Sequence, residues 1–286
     1  MDNAKRLRMI IGREGTIVLP GVYDCLSAKI AERAGFEAVF TSGFGISAVR
    51  LGVPDYGLIT AKEMLESVEN IVKSVNIPVV ADMDTGYGNP LNVVRTVEQA
   101  AGAGVAGIIL EDQQWPKKCG HMDGKKVISS TEHVQKLKAA RQAGGKDLII
   151  VARTDSRSEH GLDEAINRGH EYEDAGADVI FIEAPRSLEE LEKIAGSFPN
   201  TPLFANMVEG GKTPILKADK LCELGFKIVV YPVSGIFSAA SSIGLCFNYL
   251  KENKTTIGFN NEFGFGDFEQ LIDLEKYKEL EKKYTY

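Results

Sequence analysis

Eight short apolar runs, each followed by a stretch of helical periodicity, limit what this chain can fold into more than any other feature. The runs are residues 16–21, 38–43, 79–84, 105–111, 148–153, 179–183, 203–206 and 228–232. They are too short for helices and show little polar alternation, the pattern of strands covered on both faces. Periodic segments at 27–34, 61–74, 91–103, 131–143, 162–175, 188–195, 217–224 and 236–250 read as helices, another at 3–11 precedes the first run, and residues 51–57 read as a Gly/Pro-marked loop. Strand–helix alternation predicts a parallel sheet. Eight such units in 286 residues predict the α/β class and a closed (β/α)8 TIM barrel rather than an open doubly wound sheet.

The runs end in functional groups. Ser42, Asp82, Asp84, Glu111, Arg153, Glu183 and Asn206 each fall at the last position or two of a run, which a barrel would gather on one rim. Asp82 and Asp84 stand two residues apart, so an extended strand would turn both to one face. With Glu111 they would repel one another unless protonated or bridged by a cation. Oxygen ligands without histidine suit Mg²⁺, with Mn²⁺ the alternative; the competing reading is an ordinary ion pair with Arg153. The guanidinium of Arg153 matches a substrate carboxylate. Ser42-Gly43-Phe44-Gly45 offers backbone N–H groups that glycine lets a ligand approach, although a simple turn has the same sequence.

After Glu111 the chain runs Asp112-Gln113-Gln114-Trp115-Pro116-Lys117-Lys118-Cys119-Gly120-His121. A thiol beside Lys117, Lys118 and His121 is expected to sit in a positive field that favours its ionised form, making Cys119 a nucleophile or proton donor. The alternative is a surface loop with an incidental cysteine.

Composition excludes other classes. A net charge of -7 gives no basic patch for nucleic acid, and the pairs Lys125-Lys126 and Lys282-Lys283 are expected to be solvated faces. Four cysteines without a CxxC spacing, behind a charged start, predict a reducing cytoplasm. No run approaches the ~18 apolar residues of a membrane span. The expected division is a barrel with its N-terminal helix over residues 1–254 and a connector plus helix over 255–286. That last segment carries Phe268, Leu271, Ile272, Leu274, Tyr277 and Leu280 as one apolar face. A barrel already has its helices, so this extra one is expected on a neighbouring subunit, by exchange between chains.

The motifs Pro20-Gly21-Val22-Tyr23-Asp24, Thr41-Ser42-Gly43-Phe44-Gly45, Gly52-Val53-Pro54-Asp55, Asp82-Met83-Asp84-Thr85-Gly86-Tyr87-Gly88, Ile109-Leu110-Glu111-Asp112-Gln113, Lys117-Lys118-Cys119-Gly120-His121 and Ala152-Arg153-Thr154-Asp155 resemble the isocitrate lyase and phosphoenolpyruvate mutase superfamily over nearly the whole chain. The resemblance implies a barrel whose C-terminal helix is swapped between neighbours, usually in a homotetramer. It also implies Mg²⁺ held by Asp82, with Asp84 and Glu111 acting through waters. Ser42, Gly43 and Phe44 match the positions that hold a keto-acid carboxylate; Arg153, Glu183 and Asn206 match further substrate contacts, and Asp55 and Gly120 are expected beside them. The Cys119 loop matches a gate.

Lys-Lys-Cys-Gly-His is the form found in the small carbon–carbon lyases, such as 2-methylisocitrate lyase and 2,3-dimethylmalate lyase. Pro-Gly-Val-Tyr-Asp and the ending Phe263-Gly264-Phe265-Gly266-Asp267-Phe268 resemble the group that also holds the petal-death protein and carboxyphosphonoenolpyruvate mutases. The implied activity is cleavage of a 2-hydroxy di- or tricarboxylate to a keto acid such as pyruvate plus a carboxylic acid. Cys119 would protonate the departing carbon, with Lys117, His121 and Arg153 offsetting negative charge and Tyr23, Asp55 or Glu183 taking the hydroxyl proton. Oxaloacetate hydrolysis, phosphonate rearrangement and a catalytically silent metabolite-binding barrel are the alternatives.

Overall fold

The computed structural model describes residues 2–259 and 263–285; part of the connector expected after residue 254 lies outside them. All eight apolar runs are strands: β1 (Ile17–Val22), β2 (Val39–Thr41), β3 (Val79–Asp82), β4 (Gly107–Glu111), β5 (Ile149–Thr154), β6 (Val179–Ile182), β7 (Leu203–Asn206) and β8 (Phe226–Tyr231). They pair in parallel in sequence order and close when β8 meets β1, Ile17 opposite Ile228.

Alternation within each strand sorts the core into two layers, as a closed barrel requires. Leu19, Phe40, Val80, Ile109, Val151, Phe181, Phe204 and Val230 pack inside the barrel. Their strand neighbours, Val39, Ala81, Leu110, Ala152, Ile182, Ala205 and Val229 among them, pack outward with the helices. Leu7, on the N-terminal helix Asn3–Gly12, joins the interior cluster and is fully buried, so this helix covers the N-terminal end of the barrel. Functional groups are thereby left to the C-terminal rim. Several helices begin where capping side chains satisfy their first N–H groups, among them Thr60 with Glu63, Asn89 ahead of Pro90, and Ser129.

Three elements depart from expectation. Residues after β2 form a helix, Gly43–Leu51, where the sequence suggests a turn and loop, because Ser42 caps it by accepting from the Gly45 N–H at 3.2 Å. A short helix, Arg157–His160, follows β5. The C-terminal segment is two helices, Phe265–Leu271 and Leu274–Tyr284, since Asp273 takes a left-handed conformation (φ 57°) and interrupts the apolar face. Leu271 is buried, and Asp273 pairs with Lys29 and Arg33 of the helix Cys25–Arg33. The helix after β8, Ser234–Asn253, has no buried residue along its length and exposes Ile243, Leu245 and Phe247. Among the described residues no helix is long and apolar enough to cross a membrane.

Candidate active site

At the C-terminal rim lies a cavity of about 80 Å³, lined on one side by Ser42, Asp55, Asp82, Cys119, His121, Arg153, Glu183 and Asn206, and on the other by apolar groups including Phe44, Val208, Val233 and Phe237. Phe44 and Phe237 meet edge to face, with ring centroids 6.0 Å apart. Small-molecule sites commonly enclose roughly 300–1,000 Å³, so this one is closed down.

The acids come from the ends of neighbouring strands but are not equivalent. Strand β3 stops at Asp82, which faces the cavity; Asp84 leaves the strand with φ 49°, so strand alternation does not set its direction. Asp82 Oδ1 accepts the Asp84 N–H at 3.1 Å. Glycine at position 43 leaves Asp82 its place, since a Cβ there would stand 2.8 Å from Asp82 Oδ2 and push that carboxylate aside. Asp84 is fully buried, accepts from the Tyr87 hydroxyl at 2.9 Å, and lies 2.6 Å from the Lys117 ammonium, which is also 2.6 Å from Asp55. Burial raises the Asp84 carboxyl to about 6 against the pull of Lys117, with Asp82 and Asp55 adding repulsion. Burial likewise pushes Glu111 well above the usual carboxylate range. Its Oε2 lies 3.3 Å from Arg153, while its buried Oε1 has no hydrogen-bond partner.

Among the described residues no three acid, His or Cys side chains by themselves form a site for an ion. The donors nevertheless suit a hard dication that keeps waters. Asp82 presents oxygen to the cavity, and the crowded Asp84 and Glu111, whose buried Oε1 has no hydrogen-bond partner, belong to the same group of acids.

The cysteine loop closes over this floor. Gln113 anchors it, donating Nε2 to the Lys118 carbonyl and accepting the Lys118 N–H, both at 2.9 Å, and bridges to Val127 across the loop base. The Cys119 N–H donates to the Asp55 carbonyl at 3.0 Å. A Cβ on Gly120 would come within 2.4 Å of both Arg153 Nη2 and Glu183 Oε2, so only glycine lets the loop settle this low. His121 Nδ1 accepts the Lys212 N–H at 2.9 Å, and its Nε2 is 3.4 Å from Glu183.

The expected positive field around the thiol is not what the loop builds. Lys117 turns down to the acids, and Lys118 donates to the Gly124 carbonyl at 3.2 Å with its ammonium over the Tyr56 ring. Burial and then the charge of Asp55 push the Cys119 thiol above its ordinary value. Cys119 is thus held as a protonated thiol, the form that can give up a proton.

Arg153, from β5, donates Nε and Nη2 to Asp155 at 2.8 and 3.1 Å, and Nη2 lies 3.1 Å from Glu183. Its fork is therefore already engaged. Burial opposes the charge on Glu183, but Arg153 and then His121 hold that carboxyl down at about 2. Asn206 donates to Glu183 Oε2 at 3.1 Å.

Four expected site groups lie off the cavity: Asp84, Glu111, Tyr23 and Lys117. Tyr23 does not line it; its ring packs where Gly45 leaves room, a Cβ there standing 3.2 Å from Tyr23 Cγ. Lys117 does not line it either, being held between Asp55 and Asp84. Conversely, Lys125 is not a solvated lysine: only Lys126 of that pair is exposed, whereas Lys125 is buried 2.9 Å from Asp155. Asp155 and Asp112 carry no expected role, yet both are fully buried in the rim network. Asp112 accepts from Thr154, the Asp155 N–H, Arg168 and Tyr172 at 2.7 to 3.0 Å, and so fixes the end of β5.

A family profile described as phosphoenolpyruvate phosphomutase matches residues 7–246. The chain belongs to this family. Among curated relatives of this phosphoenolpyruvate mutase family member, 2,3-dimethylmalate lyase of Eubacterium barkeri is 45% identical over 287 residues, spanning 100% of this chain and 99% of that protein. Among solved structures, oxaloacetate acetylhydrolase in complex with the inhibitor 3,3-difluorooxalacetate superposes with a TM-score of 0.94 at 33% identity, covering 99% of this chain and 97% of that one. Phosphonopyruvate hydrolase in complex with oxalate and Mg²⁺ superposes at 0.89 and 28% identity, over 99% of each chain. The eight-stranded barrel and the superfamily resemblance read from the motifs are thus both shown, and the family is one of enzymes that includes carbon–carbon lyases.

Proposed function

We propose that this protein is a Mg²⁺-dependent carbon–carbon lyase that cleaves a small 2-hydroxy di- or tricarboxylate of the 2,3-dimethylmalate or 2-methylisocitrate type to a keto acid such as pyruvate and a carboxylic acid. The observation that carries the reading is the Cys119 thiol lining the same cavity as Asp82 and Arg153, with the ammoniums of both adjacent lysines committed to other partners. Whole-length similarity to a lyase supports it.

Asp82 would hold the ion, with Asp84 and Glu111 acting through its waters. Bound there, Mg²⁺ would supply charge stabilisation to the substrate oxygen that becomes the keto-acid carbonyl. The first-turn N–H groups of Gly43 and Phe44 lack intrahelical acceptors and would bind the keto-acid carboxylate. A base removes the hydroxyl proton; Asp55 and Glu183 line the cavity and Tyr23 does not, so the base is assigned to one of these two acids. The carbon–carbon bond then breaks with its electron pair passing to the departing acid. Cys119 gives its S–H proton to that carbon, and the proton held on the base restores the thiol through the site. Phe44, Val208 and Phe237 give the departing half an apolar wall suited to alkyl substituents.

Oxaloacetate hydrolysis is the second reading, favoured by the close superposition on oxaloacetate acetylhydrolase. A panel of 2,3-dimethylmalate, 2-methylisocitrate and oxaloacetate, each assayed with Mg²⁺ and with EDTA, separates the two. Pyruvate from either hydroxy acid is the expected result, lost in EDTA and restored by Mg²⁺. Acetate and oxalate from oxaloacetate, with no cleavage of the hydroxy acids, would replace the lyase reading.

We also assign the helix Ser234–Asn253 and the C-terminal helices to contacts within a homotetramer, in which chains exchange the C-terminal segment. The apolar side chains exposed along these helices support the assignment.

A further inference from the structure

Lys125 is a buried cation in the rim network that the mechanism above does not use. Lys125 sits two residues before Val127, where the cysteine loop is tied back to Gln113 and where Glu159 accepts the Val127 N–H at 2.9 Å. Its root is therefore fixed. From there its ammonium reaches two acceptors on two different parts of the molecule: the Gly120 carbonyl in the loop, next to Cys119, and Asp155 on the barrel rim at 2.9 Å. Asp155 is the carboxylate that receives both arms of Arg153. Lys125 and Asp155 have almost no exposed side-chain surface, and a buried ammonium deprived of its partners would be costly.

We propose that Lys125 is a positioning residue that couples closure of the Cys119 loop to the readiness of Arg153. One ammonium draws the Gly120 carbonyl down, which sets the height of Cys119 above the cavity. The same ammonium shares the charge of Asp155, so that Asp155 does not hold Arg153 alone and the guanidinium can turn partly to an incoming carboxylate. With the loop raised, Lys125 loses the Gly120 carbonyl and Asp155 falls back on Arg153. Loop and arginine therefore change state together. The catalytic half of this proposal rests on the reading of Cys119 as proton donor; the conformational half does not.

The test uses Lys125→Met, Lys125→Arg and Asp155→Asn in the full chain. Two readouts need no turnover: the rate at which iodoacetamide alkylates Cys119, followed by peptide mass, and the emission of Trp115, the chain's single tryptophan, which lies in the loop 5.7 Å from the Tyr87 ring. Mg²⁺ with oxalate serves as the closing probe. Lys125→Met and Asp155→Asn are expected to speed Cys119 alkylation at least about tenfold, the scale of one lost hydrogen bond to a charged group, and to abolish the emission change on adding the probe. Lys125→Arg is expected to restore most of the protection. With a cleaved acid in hand, kcat should fall in Lys125→Met by a similar factor while KM changes less. A Lys125→Met protein that melts like the parent but is alkylated at the parental rate overturns the proposal, whatever its turnover. If Lys125→Met does not fold, unchanged alkylation in folded Asp155→Asn overturns it equally. Should no acid in the panel be cleaved, the lyase reading fails alone and the two probe measurements still decide the role of Lys125.

Discussion

Cys119 shows how a residue's chemistry follows from where its neighbours point. Burial and Asp55 hold the thiol protonated, because the adjacent lysines are committed elsewhere. Since the thiolate is the form that reacts with alkylating agents, reactivity of Cys119 should keep climbing as pH rises through the ordinary thiol value of 9.0, without a plateau near neutrality. A plateau near pH 7, seen by peptide-resolved alkylation, would mean an activated thiolate and a different role. Replacing Cys119 by Ser should lower kcat by about 10²–10⁴-fold, the usual worth of a general acid, while oxalate affinity measured by calorimetry stays near that of the parent. Glu183 gives a prediction of opposite kind. Its folded-state value lies below the ordinary 4.5, at about 2, so the stability it contributes is complete above 4.5 and is lost as pH falls through about 2. Glu183→Gln should flatten part of the acid limb in a series of urea titrations across that window.

Among the elements, the end of β5 depends on a side chain from its neighbour. Asp112, following β4, joins Thr154 and Asp155 to Arg168 and Tyr172 in a fully buried network. Asp112→Ala leaves Arg168 short of a partner and should cost about 3–5 kcal/mol, read by denaturant unfolding. All eight strands were legible in the sequence because continuous apolar runs have few other uses in a chain of this composition. The rim acids and Arg153 were legible for the same reason, as polar endings to those runs. Lys125 and Asp155 were not: a lysine beside another lysine carries no sign of burial, and its partner lies 30 residues away, brought close only when the loop folds back on the rim. The helix Gly43–Leu51 was missed because Gly43 and Gly45 look like a turn until Ser42 is seen capping them. At the C terminus the apolar spacing predicts one continuous face and the chain instead forms two helices, because nothing in that spacing marks the left-handed step at Asp273.

At the scale of the whole molecule, a 20-residue helix without a single buried side chain is out of keeping with the packed shell around it. Its apolar residues, Leu245 and Phe247 at about two-thirds exposed, are what an interface between copies would cover. Light scattering should therefore give about four times the 31.2 kDa chain mass, and Leu245→Asp with Phe247→Asp should lower it. The same helix has a second end. Phe237, in its first turns, is the ring that meets Phe44 on the apolar wall of the cavity. In the proposed assembly, pocket and subunit contact would share one rod: whatever grips its outer length would also steady its root, so specific activity should decline on dilution before any subunit unfolds.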